Sequence, residues 1–332
     1  MRILVLGASG FLGSHIIDAL AAVDDVDELV AVARSVPDGA PGSWHALDLA
    51  AGGPRALDAL VAAASPDVVV NAAGRTTGSA AELHGLNTAM VERLLGVMHR
   101  RVPRARLVHL GSGAEYGPAD EGHQTTEEDE PRPLGAYGRT KLAATKLVWG
   151  AGFLGLDTVV LRVFNPIGAD MDARTLPGNA ASLMAAALAS GDDRIELGPL
   201  DAYRDFVAAT DVAAAVVAAT RQRAAGGEIL NVGTGTAHQT RELVHRLAAV
   251  AGFEGTVLER DAGSVRSAAV SWQEADISRT RRLLGWAPQA TLTDAVDALW
   301  RSTTRDGAGR SSAARALATP RHRATMAAVA PH

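Results

Sequence analysis

Tyr137 and Lys141 stand four residues apart in the run Tyr-Gly-Arg-Thr-Lys. On a helix that spacing puts both side chains on one face. A free phenol, with a pKa of about 10, is a poor proton donor or acceptor at neutral pH. An ammonium beside it favours phenolate and brings it toward the working range. Arginine serves as the base nearly everywhere else: the only lysines are Lys141 and Lys146, and the only tyrosines Tyr116, Tyr137 and Tyr203. That scarcity hints that arginine will not serve at 141, although Lys146 reads equally as a surface residue. Tyr and Lys at this spacing also arise by chance, so the pair takes its meaning from the elements around it.

A second group suits phosphate. The chain opens MRILVLGASGFLGSHI, with an apolar run from Ile3 to Leu6, then Gly7, Gly10 and Gly13, and from Phe11 an apolar pattern at helical spacing. Gly7 can take the positive φ of a tight turn, Gly10 lets backbone approach a pyrophosphate, and Gly13 lets the helix lie close on the strand. Ser9, Gly10, Phe11 and Leu12 then offer the free N–H groups of a helix N-terminus to the anion. The first gap is one residue longer than in GxGxxG. Three glycines among 34 mean little alone; strand before and helix after make this a dinucleotide-binding turn.

The positioning elements follow in order. Glu28 to Ala33 predicts a second strand, with Arg34 just beyond it, where an acidic residue would hold a ribose 2′-OH and an arginine suits a 2′-phosphate. This favours NADP(H) over NAD(H), the alternative being a solvated loop arginine. Trp44 to Leu47 predicts a third strand, with Asp48 and Leu49 at its end, where an adenine amino group can be held. Pro54 to Ala64 predicts a helix with Pro in its first turn, and Asp67 to Asn71 a strand buried on both faces. Ala72, Ala73 and Gly74 are small enough for a ribose and nicotinamide to lie against. Leu83 to Arg101 predicts a helix, and Arg106 to Gly111 a strand ending in Ser112. Glu115 to Gly135 is an acidic loop able to cover a site, and the helix bearing Tyr137 begins just after it. Later come a strand at Thr158 to Val163, a helix at Ala180 to Ala189, a helix capped by Asp211, a strand at Ile229 to Val232 and a helix from about Arg241. Arg162, Arg204 and Arg266 read as surface residues on their own, although guanidinium is well shaped for phosphate.

Alternating strands and helices predict the α/β class: a Rossmann-type doubly wound parallel sheet with a smaller C-terminal α/β substrate domain. Residues 1–165, with returning segments near 205–235, form the expected dinucleotide-binding domain. Residues 166–302 are mainly the substrate domain, and 303–332 a disordered tail. Ligands of such sheets bind at the carboxyl ends of the strands, where Gly7, Arg34, Asp48, Gly74 and Ser112 all stand.

The 332 residues carry a net charge of −5, which gives no basic field for nucleic acid, and no apolar run reaches the roughly 18 residues of a membrane span. There is no cysteine, which excludes disulfides, thiol catalysis and thiolate metal sites, and the ten histidines are too scattered for a metal cluster. No secretory signal is visible, so the cytoplasm is the expected compartment.

Together these residues resemble the extended short-chain dehydrogenase/reductase family of nucleotide-sugar epimerases, dehydratases and reductases, from residue 1 to about 302. The resemblance rests on GlyAlaSerGlyPheLeuGly at the start, AsnAlaAlaGly at 71–74, GluTyrGly at 115–117, the Tyr137/Lys141 pair, ArgValPheAsnProIleGly at 162–168, ArgAspPhe at 204–206, AsnValGlyThrGly at 231–235 and LeuGlyTrp at 284–286. It implies that Tyr137 is the acid–base group, that Lys141 holds the nicotinamide ribose, and that Ser112, 25 residues before Tyr137, hydrogen-bonds the reacting oxygen. It also implies that Asn165, Arg204 and Arg266 bind a sugar nucleotide, and that the protein is a homodimer. The family's dehydratases carry a carboxylate two residues before the tyrosine matched by Tyr116; here that residue is Ala114, and Glu115 should point to the other side. The segments around 112–117, 127–137 and 198–206 are similar to those of GDP-4-keto-6-deoxymannose reductases. The expectation is an NADPH-dependent C4 reduction of a nucleotide-activated 4-keto-6-deoxyhexose, the alternatives being an NAD-dependent 4-epimerase and a non-catalytic dinucleotide sensor.

Overall fold

The computed structural model describes residues 1–37, 42–260 and 270–306. Arg2–Leu6 (β1), Glu28–Ala33 (β2), Ser43–Ala46 (β3), Val68–Asn71 (β4), Arg106–Ser112 (β5), Asp157–Val163 (β6) and Ile229–Val232 (β9) form one parallel sheet in the order β3-β2-β1-β4-β5-β6-β9. Alternation along β1 shows how it is held. Ile3 and Val5 pack on one face against Ile16, Ile17 and Leu20 of helix Phe11–Ala21 (α1) and Val212 and Val216 of Ala209–Arg221 (α7). Leu4 and Leu6 pack on the other against Leu57 and Val61 of Pro54–Ala64 (α2), Leu94 and Met98 of Met90–Arg101 (α4), and Ala144 and Val148 of Ala136–Phe153 (α5). Each such side chain contributes about 1.5–3 kcal/mol of burial, so the apolar run specifies a strand covered on both sides.

A further buried cluster lies outside this sheet. Met184 of Leu176–Ser190 (α6), Leu243 and Leu247 of Thr240–Ala251 (α8), and Val296 and Leu299 of Leu292–Asp306 enclose Ile195 and Leu197 of Arg194–Leu197 (β7). β7 pairs with Thr256–Glu259 (β11), and Tyr203–Asp205 (β8) with Ala237–Gln239 (β10). No helix among the described residues is long and apolar enough to cross a membrane.

Several elements differ from the sequence expectation. The helix expected from Leu83 starts at Ala80 (Ala80–His84, α3), capped by Ser79, whose hydroxyl accepts the Glu82 N–H while the Glu82 carboxylate accepts the Ser79 N–H. It runs through a π-turn, Gly85–Ala89, into α4. The helix expected at Ala180 begins a turn earlier, because Thr175 caps it and Pro177 fits its first turn. Asp211 caps nothing: it lies inside α7 and its carboxylate accepts the N–H groups of Gln289 and Ala290. The last helix runs to Asp306, so residues 303–306 are helical rather than tail. Residues 307–332 lie outside the described residues.

Candidate active site

At the carboxyl end of β5, Ser112 leaves the sheet and its hydroxyl accepts the Ala114 N–H at 3.2 Å. Helix α5 comes close alongside, and Gly138 permits it: a Cβ there would stand 2.5 Å from the Ala114 carbonyl oxygen. Tyr137 and Lys141 therefore enter from the first turns of α5 beside Ser112. The Lys141 side chain is buried and its Nζ donates to the Leu110 carbonyl. Burial pushes its pKa down to about 8, against the charge of Glu115, which favours the ammonium. At neutral pH it is a cation. Lys146, by contrast, is exposed.

The π-turn fixes the approach of α5. Asn87 uses its amide three times, accepting the Arg75 N–H at 2.8 Å and donating to the Arg75 carbonyl at 2.9 Å and to Thr140 Oγ1 at 3.1 Å. Thr88 Oγ1 donates to the Thr140 carbonyl at 2.9 Å, and Thr140 Oγ1 donates to the Tyr137 carbonyl at 2.9 Å. The loop after β4 and the start of α5 are thereby joined through two adjacent residues. Beneath them, Asn71 Nδ2 donates to His109 Nδ1 at 3.0 Å while its Oδ1 accepts the Ala73 N–H. His109 is fully buried, which holds its pKa well below the usual range, with Lys141 adding to the effect; it is neutral.

These elements enclose a cavity of about 480 Å³. It brings together Gly10, Phe11 and Leu12 from the first turn, Ala72, Ala73 and Gly74 after β4, Ser112, Tyr137 and Lys141, and Asn165 and Arg204. Asn165 Nδ2 donates to the Asp205 carbonyl at 3.1 Å. The Arg204 guanidinium donates to the Tyr203 and Val270 carbonyls, both at 2.7 Å, and burial pushes its pKa down to about 10. Asp205 pins this strand, accepting the N–H groups of Thr234, Gly235 and Ala275 and the Thr234 hydroxyl. Tyr116 is no rival to Tyr137: it is buried, its hydroxyl donates to Asn231 at 2.7 Å, and burial pushes its pKa up to about 12.

Other expected residues do not line the cavity. Gly7 and Gly13 lie beneath the first turn. Gly7 has φ +79°, and a Cβ on Gly13 would stand 2.0 Å from the Gly7 carbonyl oxygen. Ser9 is exposed beside them and Arg34 is exposed at the end of β2. Asp48 Oδ1 accepts the Ala50 and Ala51 N–H groups, which hold its carboxyl below the usual range, and the carbonyl of buried Leu49 accepts from Arg93 Nη2 at 2.8 Å. Arg266 lies outside the described residues. Arg162 is not a surface residue: it is buried on β6, its Nε 2.8 Å from Glu115 and its guanidinium 4.5 Å above the Tyr116 ring. Glu115, as expected, points away from the cavity.

Sequence reasoning missed Arg75, Thr76, Met171, Thr175, Phe206 and Gln273 in the cavity wall. Arg75 directly follows the AsnAlaAlaGly run and was within reach of it. Thr76 is next to Arg75 and Phe206 closes the ArgAspPhe run at 204–206, whereas Met171, Thr175 and Gln273 come from segments that carry none of the motifs above. Among the lining residues Arg75, Lys141 and Arg204 are cationic and none is Asp or Glu, which suits a polyanionic ligand. No metal-ligating cluster occurs among the described residues.

The model of the NAD dependent epimerase/dehydratase family matches residues 3–233. The chain is 39% identical over 303 residues to the dTDP-6-deoxy-L-talose 4-dehydrogenase (NAD(P)(+)) of Kitasatospora kifunensis, covering 90% of this chain and 94% of that one. It is 27% identical over 321 residues to the GDP-6-deoxy-D-mannose reductase of Pseudomonas aeruginosa, covering 92% and 99%. Among solved structures, RMD from Pseudomonas aeruginosa complexed with NADPH superposes with a TM-score of 0.79 at 26% identity, over 92% of this chain and 99% of that one.

Proposed function

Because the chain belongs to the NAD dependent epimerase/dehydratase family, we propose that it uses NADPH to reduce the C4 ketone of a nucleotide-activated 4-keto-6-deoxyhexose. One observation carries this reading: Ser112, Tyr137 and Lys141 front a single cavity whose lining has no carboxylate. Dehydration across C5 and C6 needs an acid and a base there, and Ala114 in the cavity wall supplies neither. The Kitasatospora relative is named for redox chemistry at C4 of a 6-deoxy sugar, and the Pseudomonas relative for reduction of one, which support the same reading.

The residues fit the cofactor. The backbone from Gly10 to Leu12, at the N-terminus of α1, and the small side chains of Ala72 and Ala73 front the same cavity as Lys141. Gly7 and Gly13 bring the turn close enough that a Cβ on either would strike backbone. Arg34 would hold the 2′-phosphate, with Asp48 and Leu49 bordering the adenine. When bound, NADPH supplies the hydride.

Tyr137 donates its phenolic proton to the C4 oxygen, and Ser112 donates a hydrogen bond to that same oxygen. The Lys141 ammonium holds the ribose and, charged at neutral pH, stabilises the phenolate left behind. Asn165, Arg204 and Arg266 anchor the nucleotide diphosphate, so that binding energy far from C4 is spent on orientation. Residues 1–165, with 205–235, serve the cofactor, and most of 166–302 the sugar nucleotide.

The test is NADPH oxidation by the purified protein over a panel of dTDP- and GDP-linked 4-keto-6-deoxyhexoses, with products identified by NMR. Consumption of NADPH with formation of a C4 alcohol is expected. Interconversion of UDP-hexoses without net NADPH consumption, and no turnover of any ketosugar, would replace the reading by a 4-epimerase.

A further inference from the structure

Glu115 takes no part in the reaction as written, yet it is fully buried, bonded to Ser112 and close enough to Lys141 for its charge to favour the ammonium. It closes the short 3₁₀ turn Gly113–Glu115 that follows β5. Its Oε1 accepts the Ser112 backbone N–H at 2.8 Å and the Thr145 hydroxyl at 3.0 Å, and its Oε2 accepts Arg162 Nε at 2.8 Å. Ser112 ends β5, Thr145 stands one helical turn beyond Lys141 on α5, and Arg162 belongs to β6. Gly111 makes room, since a Cβ there would stand 2.8 Å from Oε1. One carboxylate therefore fastens two strands and the helix that carries Tyr137 and Lys141.

Resting on the reduction proposed above, we infer that Glu115 is a positioning residue: by tying Ser112 and Thr145 to one buried carboxylate, it sets the spacing between the Ser112 hydroxyl and the phenol of Tyr137. It touches neither substrate nor cofactor and acts through the groups it holds. Its charge matters as well as its shape. Lys141 faces it from α5, Arg162 from β6, and His109, on β5, is neutral. Without the carboxylate, two buried cations remain with no anion between them, and the ammonium of Lys141 loses the charge that favours it.

The test is Glu115→Gln, which keeps the shape and removes the charge. Because the chain has only two lysines, reductive methylation with isotopically labelled formaldehyde gives two lysine NMR signals. Each can be titrated in the whole protein without any assay of activity. The Lys141 midpoint, about 8 in the wild type, should fall by about one unit. In steady-state kinetics, kcat should fall about tenfold or more while the KM for NADPH stays within about threefold. Should this variant fail to fold, Thr145→Val, which removes one of the three donors and keeps the charge, should lower kcat about threefold with the Lys141 midpoint unmoved. A purely structural Glu115 would lower the thermal midpoint but leave both the Lys141 titration and the kcat of the folded variant at wild-type values, and that result overturns the inference. If the wild type reduces no ketosugar, the reaction assignment fails, while the lysine titration still decides whether Glu115 governs Lys141.

Discussion

Replacing Lys141 by methionine should make the cofactor-free protein more stable while ending turnover. Burial moves the Lys141 pKa from 10.5 to about 8, which at neutral pH corresponds to a penalty of about 3 kcal/mol for keeping its charge inside the fold. A methionine of similar length carries no charge and escapes that cost. The Leu110 carbonyl loses its donor, which gives back about 1 kcal/mol, so the net gain is about 2 kcal/mol at pH 7. The sign and the pH window follow from the two pKa values. The unfolded chain keeps the proton up to about 10.5 and the folded chain gives it up near 8, so wild-type stability rises with pH between those values. The advantage of Lys141→Met is therefore full below about pH 8, shrinks through about pH 9, is gone a little below about pH 10 and gives way near 10.5 to a small deficit from the missing hydrogen bond. Urea unfolding of both proteins, run side by side from about pH 7 to about pH 10, measures the difference directly, since other titrating groups cancel. A variant less stable than the wild type at neutral pH, or a gap that does not change with pH, would refute the reasoning.

Tyr137→Phe should lower kcat by about 10² or more with NADPH affinity within a factor of about three, read by stopped-flow reduction and by quenching of protein fluorescence; unchanged turnover would remove the phenol from the reaction. Arg34→Ala should weaken NADPH about tenfold and leave NADH nearly unaffected, so equal losses for the two cofactors would take the 2′-phosphate away from Arg34. Gly13→Ala, whose Cβ would stand 2.0 Å from the Gly7 carbonyl oxygen, should cost about 3 kcal/mol and weaken cofactor binding, and a thermal scan that matched the wild type would count against such close packing of α1 on the turn.

What was legible in the sequence was what is local. β2, α2 and β9 lie where apolar runs and Pro54 put them, and the first turn announced itself through glycines between a strand and a helix. Tyr137 and Lys141 were readable because their partnership is one helical turn long. The π-turn was not, because Gly85 and Asn87 break the apolar pattern just where the helix needs an extra residue, although Ser79 and Glu82 marked its true start. Arg162 misled for a physical reason: an arginine inside a buried strand is tolerated only with a carboxylate beneath it, and that carboxylate, Glu115, is 47 residues earlier. Met171 and Thr175 carried no signal because they meet the cavity only once the second buried cluster has packed, and Phe206, although part of the ArgAspPhe run, gave no sign that its ring would reach the cavity. Asn165 and Arg204 were reached through family resemblance rather than through their surroundings.

The five residues from Gly85 to Ala89 amount to one amino acid more than a regular helix would use for the same rise. Deleting one of them would let the stretch rewind as ordinary α-helix with Met90–Arg101 keeping the same face toward the sheet, because the extra residue is taken up within the turn itself. Leu94 and Met98 would stay on the sheet, whereas Asn87 and Thr88 would lose the bulged backbone that aims them at Arg75 and Thr140, so shortening this span would spare the core and cut the tie between the loop after β4 and the start of α5.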